Sequence, residues 1–115
     1  MKIVAIDFDG TIVDDAYPAI GRLKPGAAKA LNQLYNHDEI YTIINTCRNG
    51  DQLIDAVNFL IENGIKFNRI NDNYPENIEK HGNTRKVFAD IYIDASNLTG
   101  MPAWDLVYDL IINEL

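Results

Sequence analysis

Short apolar segments alternate with amphipathic segments along this chain. Four apolar runs have the length of β-strands, and β-branched and aromatic residues within them favour extended structure. These runs lie at residues 1–6, 40–44, 67–70 and 91–93. Three segments repeat apolar residues at the spacing of a helix face, and they begin near Pro25, Asp51 and Pro102. Strands that alternate with helices in this way predict an α/β fold, a mainly parallel sheet with helices on both faces.

Some segments need a more specific prediction. In the second helix one apolar stripe is predicted to be buried, with two isoleucines flanking it. The stripe consists of Leu53, Val57 and Leu60, and the flanking residues are Ile54 and Ile61. Residues 71–83 are polar and rich in turn-forming residues, so they predict an irregular loop. Residues 12–18 are too short and turn-rich for a helix and predict a small loop or hairpin.

Length and composition limit the classes of protein. A chain of 115 residues predicts a single domain spanning 1–115. The net charge of −7 makes nucleic acid an unfavoured partner, because the average surface repels phosphate backbones. No apolar run has the length of a membrane span, so no membrane partner is predicted. The single cysteine, Cys47, has no internal disulfide partner, and this favours a reducing, cytoplasmic location.

The main candidate for chemistry is the block Asp7-Phe8-Asp9-Gly10-Thr11, which follows the first apolar run. Alternate residues of an extended chain share a face, so Asp7 and Asp9 are expected to project into one small volume. Two like charges held together there cost free energy unless a cation or a shared proton relieves them. This pattern suits a Mg²⁺ site with one carboxylate as nucleophile and the other as acid or base. Asp-x-Asp alone is also typical of an ordinary polar turn.

Other polar residues follow or precede the later strands. Thr46 comes just after the second predicted strand, Asp94 directly after the fourth, and Lys86 in the loop before the fourth. Because ligand sites of parallel α/β sheets gather at the carboxyl ends of the strands, Asp7, Asp9, Thr46 and Asp94 are expected at one rim. Lys86 is expected to reach that rim from its loop.

The five-residue block resembles the first motif of the haloacid dehalogenase (HAD) superfamily, and the chain resembles all four HAD motifs in order. The resemblance implies a three-layer, Rossmann-like HAD fold and a Mg²⁺-dependent phosphatase. It implies that Asp7 is the nucleophile and that Asp9 is the general acid and base. Thr46 is implied to hold a phosphoryl oxygen, and Lys86 to offset negative charge. Asp94 is implied to bind Mg²⁺ together with Asp7 and the backbone carbonyl of Asp9.

Two features bear on this resemblance. Ala95 stands where close relatives often carry a second acid, so weaker Mg²⁺ binding or a degenerate, non-catalytic relative is predicted, with Ser96 or Asn97 as substitutes that hold a metal-bound water. Arg48 follows Thr46 and is predicted either to touch the phosphorylated substrate or to be a surface or ion-paired arginine.

The chain has no room for the cap domain through which HAD enzymes usually select substrates. The segments after the first motif and before Lys86 hold only a short loop and helix, and a loop. An open site implies a large substrate, a second subunit of a homo-oligomer that covers it, or low selectivity.

Two functions compete with hydrolysis. Response-regulator receiver domains have a similar length and a carboxylate–Thr–Lys–Mg²⁺ site. Their phosphate acceptor ends the third strand, however, and their paired acids are adjacent, unlike Asp7 and Asp9. A degenerate HAD-like protein that only binds a partner is the other alternative, motivated by Ala95.

Overall fold

The computed structural model describes all residues from Met1 to Leu115 and contains four strands and four helices. The strands are β1 (Lys2–Ile6), β2 (Ile40–Ile44), β3 (Arg69–Ile70) and β4 (Ile91–Ile93). The helices are α1 (Ala27–Asn36), α2 (Gly50–Glu62), α3 (Pro75–His81) and α4 (Trp104–Ile112). None of the helices combines the length and apolar character that a bilayer crossing requires.

All four strands are parallel and lie in the order β3-β2-β1-β4. The chain therefore proceeds from β1 outward to β3 and returns to the opposite side of β1 for β4. This reversal of direction falls between β1 and β4, where Ile6 pairs with Ile93. In open parallel sheets such a reversal leaves a crevice at the carboxyl ends of the two strands. The predicted α/β fold with a parallel sheet is confirmed, and its three layers fit a Rossmann-like arrangement.

The two faces of the sheet are covered unequally. Val4 and Ile6 of β1 point into the larger core, where the buried residues of α1, α2 and α4 pack. Ile3 and Ala5 point to the other face, which buries only five hydrophobic residues in total. That thinner layer consists of Val87, Ala89 and the segment that contains Tyr74 and α3. Because side chains alternate along a strand, Asp7 lies on the thinly covered face.

Three sequence predictions were wrong in detail. A helix, α3, occupies the middle of the predicted loop, with Pro75 in its first turn. The third strand is two residues long, and just before it the Asn68 side chain accepts the N–H of Thr42. On α2 the fully buried residues are Ala56 and Leu60. Leu53 and Val57, which were predicted to be buried with Leu60, are only partly buried.

The motif loop leads into a hairpin between β1 and α1, which confirms the predicted loop or hairpin. A single turn closes on the carbonyl of Phe8, which accepts the N–H of Ile12 at 2.9 Å. Gly10 in that turn has φ of 81°, a conformation that glycine adopts without the steric cost of a Cβ atom. Val13 and Leu23 then form an antiparallel bridge, so the residues between them fold over the carboxyl end of the sheet.

Candidate active site

Asp7 and Asp94 occupy the crevice at the reversal of strand order. They are the residues that directly follow β1 and β4, and the Asp7 N–H donates to the Ile93 carbonyl at 3.0 Å. In the register of this pair the two aspartates lie opposite each other on neighbouring strands. No ion pair reaches either carboxylate. Two of the predicted site residues are thus brought together, and their charges are not neutralised by a protein cation.

The ionisation of Asp7 reflects this crowding. Burial is the largest cause that raises its pKa, from 3.8 to about 6, and the negative charge of Asp94 is the next. Asp9 adds a smaller contribution in the same direction, while hydrogen bonds from the Phe8 backbone and from Thr11 oppose the shift. Groups with strongly perturbed pKa values in a cleft are candidates for functional roles.

Thr11 joins the two strand ends. Its buried hydroxyl donates to Asp7 Oδ2 at 3.2 Å and accepts the backbone N–H of Ala95 at 3.0 Å. Its carbonyl accepts the indole N–H of Trp104 at 2.8 Å. The hydroxyl therefore fixes both the Asp7 carboxylate and the loop that begins at Asp94. The sequence motif contains Thr11, but its bond to Ala95 spans 84 residues and becomes visible only in the fold.

Asp9 forms an ion pair with Arg48. Arg48 Nε donates to Asp9 Oδ2, and Nη2 donates to Asp9 Oδ1, both at 2.7 Å. Such two-point, charge-assisted pairs are among the stronger hydrogen-bonded contacts in proteins. The Arg48 side chain is 1% exposed and that of Asp9 17%. Of the alternatives predicted for Arg48, this structure shows the ion-paired arginine, and the pair is buried.

Every N–H of the Arg48 guanidinium has a partner within the protein. Beyond the two bonds to Asp9, the carbonyls of Pro18 and Gln52 accept from Nη1, and the carbonyl of Ala19 accepts from Nη2. These bonds join the hairpin to the start of α2. An arginine has five donors, so none remains for a phosphoryl group in this arrangement. The pairing with Asp9 also raises the pKa of Arg48 above its ordinary value.

Thr46 keeps a donor available. Its hydroxyl oxygen accepts the backbone N–H of Arg48 at 3.2 Å, and its own N–H donates to Asn71 Oδ1 at 2.8 Å. A hydroxyl that accepts one bond still has its hydrogen to donate. Thr46 is half-buried at the carboxyl end of β2, beside the crevice. This geometry is compatible with the predicted contact to a phosphoryl oxygen.

Lys86 lies on the correct face of the sheet but makes no ion pair with Asp7 or Asp94. Its Nζ is 5.4 Å from the centre of the Tyr92 ring. Tyr92 pairs with Ala5 in the sheet, and Asp94 follows two residues later. The Lys86 amine therefore lies over the ring of Tyr92 and is not paired with the two carboxylates. A change of rotamer of this exposed side chain is the movement that its predicted role requires.

Comparisons with known proteins supply a relative. Neither the protein-family models nor the curated proteins contain a match to this chain. A solved structure of a conserved protein encoded by a locus of Bacteroides thetaiotaomicron is similar, with a TM-score of 0.87 and 35% sequence identity. The similarity covers 99% of this chain and 92% of the Bacteroides chain. The chain belongs to the same family as that conserved protein. This relation establishes the fold of the family, and its chemistry has to be argued from the site.

The carboxylate oxygens of Asp7 and Asp94 are ligands that suit a hard cation. Mg²⁺ is commonly bound by one or two carboxylates and keeps several waters. Asp7 and Asp94 supply two carboxylates whose mutual repulsion a cation would relieve. No group of three or more Cys, His, Asp or Glu side chains is arranged as a metal site, and the Asp9 carboxylate is occupied by Arg48. The chemistry of these two carboxylates therefore fits a Mg²⁺ ion that keeps most of its waters.

A second lysine lies beside the motif loop and escaped the sequence analysis. The amine of Lys24 donates to the carbonyl of Gly10, and the Lys24 N–H donates to the Ile12 carbonyl at 2.9 Å. Lys24 therefore secures the end of the hairpin to the turn that holds Asp7. The sequence shows only that Lys24 directly precedes Pro25-Gly26, where α1 begins. Nothing in the sequence indicates that the hairpin returns to Gly10.

Proposed function

We propose that this protein is a Mg²⁺-dependent phosphomonoester hydrolase of the HAD superfamily that forms an aspartyl-phosphate on Asp7. The observation that carries the proposal is the pair Asp7 and Asp94 at the reversal of strand order. Two unneutralised carboxylates are held side by side there, and burial and mutual repulsion raise the pKa of Asp7. A purely structural polar turn gives no reason to hold two such charges together.

The residues present suit a two-step transfer. A carboxylate oxygen of Asp7 attacks phosphorus, the bond to the leaving oxygen breaks, and water later releases phosphate from the aspartyl-phosphate. Thr11 orients the nucleophile, since its hydroxyl donates to Oδ2 of the Asp7 carboxylate. Thr46 donates its hydroxyl hydrogen to a phosphoryl oxygen. Lys86, after its side chain swings from Tyr92, offsets negative charge on the transferring group.

Asp7, Asp94 and the backbone carbonyl of Asp9 would hold the Mg²⁺ ion. When bound, the ion supplies positive charge that reduces the repulsion between a carboxylate nucleophile and a phosphoryl group. Ala95 contributes no side-chain oxygen, and its N–H is bound to Thr11, so the loop that begins at Asp94 offers Ser96 and Asn97 as further polar groups. Both of these side chains are exposed.

The proposal includes the setting of the enzyme. The site has only the hairpin beside it and no cap domain, so we propose that a large phosphorylated substrate or a second copy of the chain covers it. A cytoplasmic location is also proposed, and it rests on the single free cysteine, Cys47.

The experiment is a count of phosphate released per protein from an aryl phosphate, with Mg²⁺ and with EDTA. Many turnovers that require Mg²⁺ are the expected result. Release of one equivalent of the phenol without release of phosphate, with a stable phosphoryl group on Asp7, would instead identify a phosphate-accepting module of the receiver type. The absence of both release and labelling at high Mg²⁺ would identify a degenerate, non-catalytic member. Mass spectrometry of the acid-quenched protein detects the phosphoryl group.

A further inference from the structure

We infer that Asn73 is a positioning residue for Lys86, because its buried side chain fixes the backbone on both sides of the lysine. The inference rests on the proposed function, in which Lys86 offsets negative charge on the transferring phosphoryl group. Asn73 itself lies between β3 and α3 and belongs to none of the motifs described above.

The loop that carries Lys86 has no regular structure of its own. It runs from Gly82 to Asp90, between the end of α3 and the start of β4. Residues 85–89 make no backbone-to-backbone hydrogen bond. Apolar packing against the sheet is not directional. Side chains of neighbouring segments therefore have to supply the hydrogen bonds that fix the course of this loop.

Asn73 supplies such bonds on both sides of the lysine. Its Nδ2 donates to the Thr84 carbonyl at 3.0 Å and to Asn83 Oδ1 at 2.9 Å. Its Oδ1 accepts the Phe88 N–H at 2.7 Å. One end of the amide faces acceptors and the other a donor, so these partners determine its orientation. Lys86 lies midway between Thr84 and Phe88, and a single side chain thus holds the backbone before and after it.

Thr84 extends this network to the lysine itself. Its hydroxyl donates to the Lys86 carbonyl at 2.8 Å and also accepts from Asn73 Nδ2 at 3.4 Å. Asn73 is 1% exposed, whereas Lys86 is exposed. The backbone of the lysine is therefore fixed from the interior, while its side chain remains free to swing from Tyr92 toward the carboxylates.

The other contacts of the loop do not by themselves place the lysine. Val87 and Ala89 pack on the thinly covered face, and the Tyr92 hydroxyl bonds the Val87 carbonyl and the Ala89 N–H. All of these contacts lie on the C-terminal side of Lys86. A fully paired polar network specifies a single arrangement of the groups that it joins. Asn73 therefore sets the position from which the Lys86 side chain reaches the site.

The test is a double-mutant cycle of Asn73→Ala and Lys86→Met, with kcat/KM measured for an aryl phosphate at one Mg²⁺ concentration. We expect Asn73→Ala to lower kcat/KM by up to about 10²-fold when Lys86 is present, because a misplacement of about 1 Å has effects of this size. In the Lys86→Met background the same change should alter kcat/KM by less than about twofold, since no amine is left to position. Equal losses in the two backgrounds would show that Asn73 only supports the fold and would overturn the inference.

Asn68→Ala is the matched control. It removes another asparagine whose Oδ1 accepts a backbone N–H and a threonine hydroxyl, both from Thr42. These bonds join β2 to the residue before β3 and do not involve the loop of Lys86. Asn68→Ala should lower the urea midpoint and leave kcat/KM unchanged. A loss of activity as large as that in Asn73→Ala would overturn the inference.

A milder pair of variants tests the same network should Asn73→Ala fail to fold. Thr84→Val removes the hydroxyl that holds the Lys86 carbonyl, and Thr84→Ser retains it. Thr84 is exposed, so neither change disturbs the core. We expect Thr84→Val to lower kcat/KM by about 3–10-fold, the effect of one hydrogen bond, and Thr84→Ser to keep the wild-type value. Equal values in the two variants would count against the network as the support of Lys86.

Amide hydrogen exchange gives a readout that does not depend on turnover. The Phe88 N–H should be protected in the wild type and in Asn68→Ala and should exchange faster in Asn73→Ala, which lacks its acceptor. An unprotected Phe88 N–H in the wild type would overturn the inference and leave the hydrolase intact. No turnover in the wild type at any Mg²⁺ concentration would overturn the proposed function, and with it the role of Lys86 that Asn73 serves.

Discussion

The two carboxylates of the motif lie two residues apart and have opposite surroundings. Asp7 faces a second carboxylate, Asp94, and neither is paired with a protein cation. Asp9 faces a guanidinium, and all five donors of that guanidinium are satisfied. The charge at the first position is uncompensated, and the charge at the second is fully compensated.

Within one short loop, the Asp7 carboxylate is thus available for chemistry, whereas the Asp9 carboxylate holds the structure in place. An uncompensated carboxylate in a crevice costs stability and is available to a cation and an electrophile. A carboxylate in a two-point pair with a buried arginine holds the hairpin, the motif loop and α2 in place. We therefore expect changes at Asp7 to affect chemistry much more than stability, and changes at Arg48 to do the reverse.

The largest effect is expected for Asp7→Asn. An amide cannot form the aspartyl-phosphate, so kcat/KM should fall by at least about 10⁴-fold while the circular dichroism spectrum stays unchanged. Asp38→Asn makes the same change of charge at an exposed residue in the turn before β2 and should retain full activity. Turnover in Asp7→Asn within about tenfold of the wild type would contradict the assignment of Asp7 as nucleophile.

The second-largest effect is expected when Arg48, the cation that compensates Asp9, is removed. This effect should be a loss of stability. Arg48→Met leaves the Asp9 carboxylate and three carbonyls without their donors, and breaking a buried pair typically costs about 3–5 kcal/mol of unfolding free energy. Arg22→Met is the control, because the Arg22 pair with Asp14 is exposed and spans 3.7 Å. An exposed pair contributes about 0–1 kcal/mol. Urea unfolding of both variants measures the contrast, and equal losses would show that Arg48 is not an anchor.

Thr11 connects the ends of β1 and β4. Removal of its hydroxyl should reduce stability and activity, but by less than the two changes above. Thr11→Val keeps the shape but removes the donor to Asp7 and the acceptor of the Ala95 N–H, which costs about 1–3 kcal/mol of unfolding free energy. It should also lower kcat/KM, by up to about 10²-fold, through misorientation of the nucleophile. Thr11→Ser retains the hydroxyl and should keep most of the activity. Similar activities in the two variants would remove Thr11 from the positioning of Asp7.

The sequence predicted those features of the fold that depend on residues close together in the chain. The apolar runs of β1, β2 and β4 and the order of motifs located the sheet, and the alternation of side chains along β1 placed Asp7 at its carboxyl end. The helix α3 was missed because it buries no residue, so its apolar spacing carries no signal. Its remaining signals were Pro75 in its first turn and two basic residues, Lys80 and His81, in its last turn.

The sequence was insufficient where a contact depends on the assembled fold. Asp9 and Arg48 are 39 residues apart and meet only because β1 and β2 are neighbours. The prediction that Asp9 shares a small volume with Asp7 gave no indication that the Asp9 carboxylate is also paired with Arg48. The distances of Lys86 and Lys24 from the motif were hidden for the same reason, because each lies in a segment whose path is set by tertiary packing.

The smallest expected effect is on the pH dependence of stability without metal. The pKa of Asp7 is about 6 in the folded protein, against an ordinary value of 3.8, so between these values the folded state holds a proton that the unfolded state has lost. Stability from this group therefore falls as pH rises from about 4 to about 6 and is level above that range. The loss should be on the order of 1 kcal/mol, because solvent screens a half-buried carboxylate.

Asp7→Asn removes this titration, so it should be more stable than the wild type at pH 7.5 in EDTA, with a smaller difference at pH 4.5. The Asp38→Asn variant corrects for the change in net charge, since its side chain is exposed and far along the chain from the motif. Urea midpoints of the three proteins at the two pH values measure the effect. Mg²⁺ should reverse the order at pH 7.5, because a cation that binds Asp7 and Asp94 stabilises only the protein that carries both carboxylates. An Asp7→Asn protein less stable than the wild type at pH 7.5 in EDTA would mean that the Asp7 carboxylate is compensated after all, and the contrast between Asp7 and Asp9 would then fail.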